Sequence, residues 1–184
     1  MQRFTKPITT SRATRRRSPW LWAGVALVAL VAAGCGDDVD TSAISVTNPN
    51  TGEVSDVLVP QDGSLAVYEE HIRVLNECDW VGLMAQYPDD AEIHLSAGEV
   101  VKGREAIGEL FAGFILPQEE GGLCGLTFVE ESRFEAAGSQ NVQWVADADF
   151  LAEPYRGSDA YVSEGSFMDA MVTTFEGTDL VFAE

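Results

Sequence analysis

Basic residues are scarce in this chain of 184 residues: 11 Lys+Arg stand against 30 Asp+Glu. Six of those cations (Arg3, Lys6, Arg12, Arg15, Arg16 and Arg17) lie in the first 34 residues, which carry no acid. The rest of the chain keeps five cations for all 30 acids, a net charge of −25. A body this acidic repels nucleic-acid phosphates and anionic headgroups, which excludes nucleic acid as a partner. Histidine is scarcer still: His71 and His94 are the only two, and neither has a second His or Cys at short ligand spacing. No metal site is therefore expected. Long apolar runs are also missing. The longest, Trp20–Ala33, has 14 residues, short of the roughly 20 that cross a bilayer core. Apolar content is not lacking, at 46% with 9% aromatic, which is too high for a disordered chain and sufficient for one packed domain.

The charge asymmetry has a direct reading. A basic stretch ending at Arg17, followed by that apolar run and by small residues, is the pattern of an export signal over residues 1–34. It closes on Ala32-Ala33-Gly34-Cys35, which resembles the bacterial lipobox, at which the leader is removed and the cysteine acylated. The alternative is an ordinary signal peptide with a free cysteine close behind it. Acylation of Cys35 would hold the protein on a membrane, since each buried CH₂ contributes about 0.8 kcal/mol. The expected location is the cell envelope, exported and membrane-anchored. From Gly36 to about Asp62 the chain is Asp, Ser, Thr, Asn, Gly and Pro with scattered valines. No period of 2 or 3.6 persists, and residues 35–63 read as a lipidated cysteine and a flexible acidic tether.

Periodicity begins at Ser64, an expected N-cap. Leu65, Tyr68, Ile72 and Leu75 form one helical stripe. Asp79 is placed to cap a second, short helix with Trp80, Leu83, Met84 and Tyr87 on one face. Ala91–Ser96 alternates with period 2, and Glu99–Val101 follows as a short strand. Ile107, Leu110, Phe111 and Phe114 mark a third helix. Strands are expected over Leu126–Phe134, Asn141–Ala152, Asp159–Glu164 and Ser166–Phe175. Helices first and an antiparallel sheet afterwards predict an α+β domain over 64–184, with three helices packed in the concave face of a curved, mainly antiparallel sheet.

The order of elements and the local wording, Tyr87-Pro-Asp-Asp-Ala-Glu-Ile-His-Leu95 and then Gly98-Glu-Val-Val-Lys-Gly-Arg-Glu-Ala-Ile107, resemble the SnoaL-like domains. These belong to the nuclear transport factor 2-like superfamily, with ketosteroid isomerase and scytalone dehydratase. The resemblance covers about residues 64–182 and implies a cone: a sheet curled around a cavity that the helices close, with a convex face that often dimerises. It implies no cofactor. Its members include isomerases, cyclases, dehydratases and many non-enzymes, so it specifies fold more closely than chemistry.

Carried over residue by residue, the isomerase pattern is incomplete. Its carboxylate base falls on Leu95, which accepts no proton. Its first-helix tyrosine falls on His71, and its late aspartate falls on Asp159. Desolvation in an apolar cavity would raise the Asp159 pKa and let it act as an acid or hydrogen-bond donor; the alternative is a solvated carboxylate at a strand entrance. His71 is either a base or proton shuttle or a helix-surface histidine beside Glu69 and Glu70. His94, alternating with Ile93 and Leu95, is expected on the convex face. Leu95, Trp144, Tyr161 and Met171 are the expected pocket residues, with Ala146 and Ala148 beside Trp144 leaving room for a ligand. In the competing reading Trp144, Phe150 and Met171 fill that space, and the domain is a non-catalytic module that dimerises through its convex sheet. Cys78 and Cys124 are free to pair in an oxidising compartment. The leading expectation is a small apolar ligand in the cone cavity, with isomerase-, cyclase- or dehydratase-type turnover left open and a homodimer as a second partnership.

Overall fold

Alternation in the second half of the chain builds one six-stranded sheet, and the helical stripes of the first half cover one of its faces. The computed structural model describes residues 39–183; the expected signal peptide and the acylation site at Cys35 lie outside them. The sheet comprises β3 (Glu92–His94), β4 (Val100–Lys102), β5 (Thr127–Ala136), β6 (Ser139–Asp147), β7 (Tyr155–Val162) and β8 (Ala170–Thr173), ordered β4-β3-β8-β7-β6-β5. All neighbours are antiparallel except β3 and β8. The described residues hold three α-helices, α1 (Gly63–Asn76), α2 (Trp80–Met84) and α3 (Arg104–Phe114). The α+β architecture is the one expected.

Two local signals work as the sequence suggests. The Asp79 carboxylate accepts from the Gly82 N–H at 2.9 Å and caps α2, and Trp80, Leu83, Met84 and Tyr87 are all buried. Ala137 and Gly138 both have positive φ (51° and 76°), the geometry of the two-residue turn that matches strand twist, and they join β5 to β6.

The start of α1 differs. Its N-cap is Asp62, with no side-chain cap bond, while Ser64 Oγ accepts from Gln140 Nε2 at 2.8 Å instead. The buried stripe is Val67, Tyr68, His71, Val74 and Leu75; Leu65 is exposed and Ile72 only partly buried. The helix is rotated from the expected face because His71 is buried rather than solvated. The strands also shift. β6 stops at Asp147 rather than Ala152, because Leu151 N–H turns back to the Ala148 carbonyl (3.0 Å). β7 begins four residues before Asp159, and β8 covers only Ala170–Thr173.

The larger correction concerns the tether. Residues 42–57 form an antiparallel hairpin, β1 (Ser42–Thr47) and β2 (Val54–Val57). Asn48 is buried, and its Oδ1 accepts from the Asn50 and Thr51 N–H groups (2.9 and 3.3 Å), which shapes the turn. Val46 and Leu58 enter the core. Arg104, fully buried at the start of α3, donates Nε to the Ile44 carbonyl (3.1 Å) and Nη2 to Ser55 Oγ (2.8 Å) on the hairpin. Its Nη1 donates to the carbonyls of Met84 and Tyr87. The hairpin is therefore part of the folded body, fastened to the end of α2 by one guanidinium.

Cys78 and Cys124 are bonded to each other, with Cα atoms 5.7 Å apart. The bridge ties the end of α1 to the segment entering β5 and closes a loop of 46 residues, which constrains the unfolded chain by about 4 kcal/mol in the loop-entropy picture. The double replacement Cys78→Ser/Cys124→Ser should lower unfolding stability by a few kcal/mol, read as a fall in the denaturant midpoint. A midpoint equal to that of the oxidised protein would show that the bridge carries no stability.

Candidate functional site

The concave face is set by strand register. β6 places Val142, Trp144 and Ala146 inward; opposite them β7 places Asp159, Gly157 and Tyr155. β8 then sets Thr173 opposite Asp159 and Met171 opposite Tyr161. The Trp144 indole lies so close over Gly157 that a Cβ there would be 2.4 Å from its ring, which is why a glycine interrupts the strand. Asp159 is thus an inward residue, because Gly157 and Tyr161 are.

Between this face and the helices lies a cavity of about 90 Å³. Four phenylalanines (Phe111, Phe114, Phe128 and Phe175) line it, as do Leu95 and Met171, and its polar lining residues are His71, Asp159 and Thr173. Two of the four expected pocket residues, Leu95 and Met171, therefore border the cavity. Trp144 and Tyr161 are buried on the same face beside it: the indole packs edge-to-face on Phe128 (5.1 Å between centroids), and Tyr161 packs on His71 (5.4 Å). Phe150 does not fill the cavity; it stacks on Phe182 at 6.1 Å. His94 points away from it and pairs with Glu92 at 3.1 Å.

Asp159 is the unusual group. Tyr161 Oη donates to its Oδ2 at 2.9 Å, while Oδ1 is buried without a hydrogen-bond partner. The Trp144 indole N–H is also without one among the described residues, yet it stands close enough to the carboxylate to pull its pKa down. Burial pushes the Asp159 pKa above the ordinary aspartate value, against the opposing pull of Thr173, Tyr161, Trp144 and the Thr174 N–H. His71 is buried on α1, and desolvation lowers its pKa to about 4, so its imidazole is uncharged at neutral pH. Its Nδ1 lies 3.5 Å from Tyr87 Oη. Burial, and then the nearby Asp159, raise Tyr87 and Tyr161 well above the ordinary tyrosine value.

The arrangement offers one underused carboxyl, a neutral imidazole and a tyrosine hydroxyl in an aromatic cavity. It offers no ordinary carboxylate base, since Leu95 is an apolar wall. The sequence reading missed Tyr87 and Thr173 as neighbours of the site. Tyr87 was absorbed into the apolar stripe of α2; Thr173 was recoverable from its i+2 spacing to Met171. Among the described residues no cluster of three or more His, Cys, Asp or Glu could hold a metal ion, and no helix is long and apolar enough to cross a membrane.

No protein-family model matches the chain, and no curated protein matches it significantly. Solved structures do. An NTF2-like protein of unknown function from Cytophaga hutchinsonii superposes with a TM-score of 0.50 at 12% identity, over 64% of this chain and 94% of that one. RV0760c from Mycobacterium tuberculosis gives 0.51 at 20% identity, over 68% and 99%, and was also solved in complex with estradiol-17beta-hemisuccinate. SalBIII, an epoxide hydrolase/cyclase-like enzyme of pyran ring formation in salinomycin, gives 0.51 at 20% identity, over 65% and 95%. The fold is therefore that of the NTF2-like proteins.

Burial of His71 has a measurable consequence. A histidine whose folded pKa is depressed contributes full stability above its unfolded value of about 6.5, and this is lost as pH falls toward about 4. The loss is about 3 kcal/mol at 1.36 kcal/mol per unit. The denaturation midpoint should fall more steeply across that window in the unsubstituted chain than in His71→Leu. Equal slopes in the two proteins would show that His71 is solvated and titrates normally.

Proposed function

We propose that this domain binds a small, mostly apolar molecule in the cavity between the sheet and α1 and α3, through one polar group that pairs with Asp159. The observation that carries the reading is the buried Oδ1 of Asp159, which has no partner among the described residues. Buried polar atoms are nearly always hydrogen-bonded, and an unpaired one on a residue that lines an apolar cavity favours a ligand that completes it. Structural neighbours support the class: RV0760c was solved with a steroid ester, and SalBIII acts in ring formation. At about 90 Å³ the cavity is below the roughly 300–1,000 Å³ of sites that take drug-sized molecules, so the ligand is smaller than a steroid. Cofactor-free isomerase-, cyclase- or dehydratase-type chemistry would use Asp159 as the proton donor. With Leu95 at the base position and His71 a weak base, binding is favoured over turnover. The protein acts at the cell envelope in this reading, exported by residues 1–34 and anchored through acylated Cys35.

A second reading is favoured by the convex face. Phe134 and Val172 are exposed there (65% and 46%). They border a shallow groove with Ser132, Asn141, Gln143 and Ala160, in which Asp159 is the one ionisable lining residue, so the patch is poor in charge within a strongly acidic body. Copies of a chain that repel each other elsewhere can meet on such a patch, which supports a homodimer, with or without ligand.

Native mass spectrometry of the full chain, purified gently from its own host, tests both. The ligand reading expects an extra mass that collisional activation releases from the unsubstituted protein and that is missing from Leu110→Trp, which fills the cavity. A bare mass, single or double, with Phe134→Glu dispersing the double one, would contradict ligand binding and leave the dimerising module.

A further inference from the structure

We infer that the ligand is a small alkylammonium ion, its carbon groups against Phe111, Phe114, Phe128 and Phe175 and its charge paired with the Asp159 carboxylate. This rests on the ligand-pocket reading and names the chemistry of that ligand.

Three observations converge on a cation. The first is the wall. Phe114, Phe128 and Phe175 lie 5.5 to 6.3 Å apart, centroid to centroid, and Phe111 lies on the His71 side of the same cavity at 5.9 Å. Aromatic rings attract alkylammonium ions through their quadrupole while accommodating the methyl groups as apolar surface. The second is the missing counter-ion. None of the described arginines or lysines lines the cavity. The one buried guanidinium among the described residues, Arg104, is spent on the carbonyls of Ile44, Met84 and Tyr87 and on Ser55 Oγ. Asp159 has an oxygen to spare and no internal cation to take it. The third is the absence of competing charge around it. The titratable groups facing Asp159 are His71 from α1, Tyr87 from the segment after α2, and Tyr161 from its own strand. All three are neutral at neutral pH. α3 presents only Leu110, Phe111 and Phe114, while β6 and β8 present Trp144 and Thr173. Tyr68 stands behind Tyr161 at 5.0 Å, its hydroxyl bonded to Glu130 outside the cavity.

Size and field agree. A cavity of about 90 Å³ is the share of roughly three liquid waters, suited to a ligand of a few carbons. An anion is repelled by the carboxylate and by the acidic body, which instead concentrates cations at the surface. Above its pKa Asp159 meets the cation as a carboxylate and no proton moves; below it, the Asp159 O–H bond breaks, its proton goes to bulk water, and the ammonium becomes the partner of the carboxylate.

The test uses the full chain labelled with ¹³C in the methionine ε-methyl groups. Met171 borders the cavity, whereas Met84 and Met168 are buried away from it and serve as internal controls. Tetramethylammonium chloride and its neutral isostere tert-butanol are titrated at fixed ionic strength, with sodium chloride as the salt control. The Met171 signal should move while Met84 and Met168 stay. Tetramethylammonium should bind at least about tenfold tighter than tert-butanol, and its affinity should fall about tenfold per pH unit once Asp159 is protonated. Asp159→Asn should abolish the preference and flatten the pH profile. If that variant loses the folded Met84 and Met168 signals, the pH series on the unsubstituted chain decides alone. Equal affinity for the two probes with a flat pH profile would overturn the cation and leave the ligand pocket standing. A Met171 signal that neither probe moves would overturn both.

Discussion

The constraint on which the rest depends is the closing of the concave sheet face by α1 and α3. An alternating sheet with one apolar face must be covered, and here two helices of 14 and 11 residues cover it. Their closure removes water from everything they trap. That single fact uncharges His71, raises Asp159, Tyr87 and Tyr161, and leaves a carboxylate oxygen and an indole N–H without partners. Around those polar groups are rings packed on rings, from Tyr87 and Phe111 through Phe128 to Trp144 and Phe175. The chemistry of the site is thus a product of its desolvation.

The same logic explains why the body extends toward the N-terminus beyond the expected boundary. Arg104 opens α3 and is fully buried, so its guanidinium needs acceptors that a short helix and a sheet edge do not supply. The hairpin provides two of them and α2 with its following turn provides two more. None is a carboxylate; Asp89 and Asp56 act on the charge only through space. A buried charge held wholly by neutral acceptors is strongly destabilising when any of them is lost. The hairpin and the helices it touches are accordingly expected to stand or fall together.

What could be read in the sequence was whatever a period or a cap carries. The α2 stripe ending at Tyr87, the Asp79 cap and the alternation of β5 and β6 were legible because each is local. The hairpin was not. Its strands bury little beyond Val46 and Ser55, and its anchors, Ala112 for Asn50 and Arg104 for Ile44 and Ser55, lie 49 to 62 residues away. The α1 face turns on one polar residue: the sequence leaves His71 open between a cavity group and a helix-surface histidine, and the burial of Val67 and Val74 on the same side decides for the cavity. Asp159 was undecidable from its strand alone, since Ala160 and Val162 could equally face inward. Only the register that sets Gly157 beneath Trp144 decides it.

The central claim is that Asp159 is a buried, under-partnered carboxyl in the wall of an aromatic cavity. The most direct check is a ¹³C NMR titration of the aspartate side-chain carboxyls in the ligand-free full chain, with the Asp159 signal assigned by its loss in Asp159→Asn. This structure predicts that the Asp159 carboxyl takes up its proton above the ordinary aspartate value, because burial disfavours its charged form. An Asp159 signal that titrates at or below the ordinary aspartate value would mean a solvated surface carboxylate, and the site built around it would not exist.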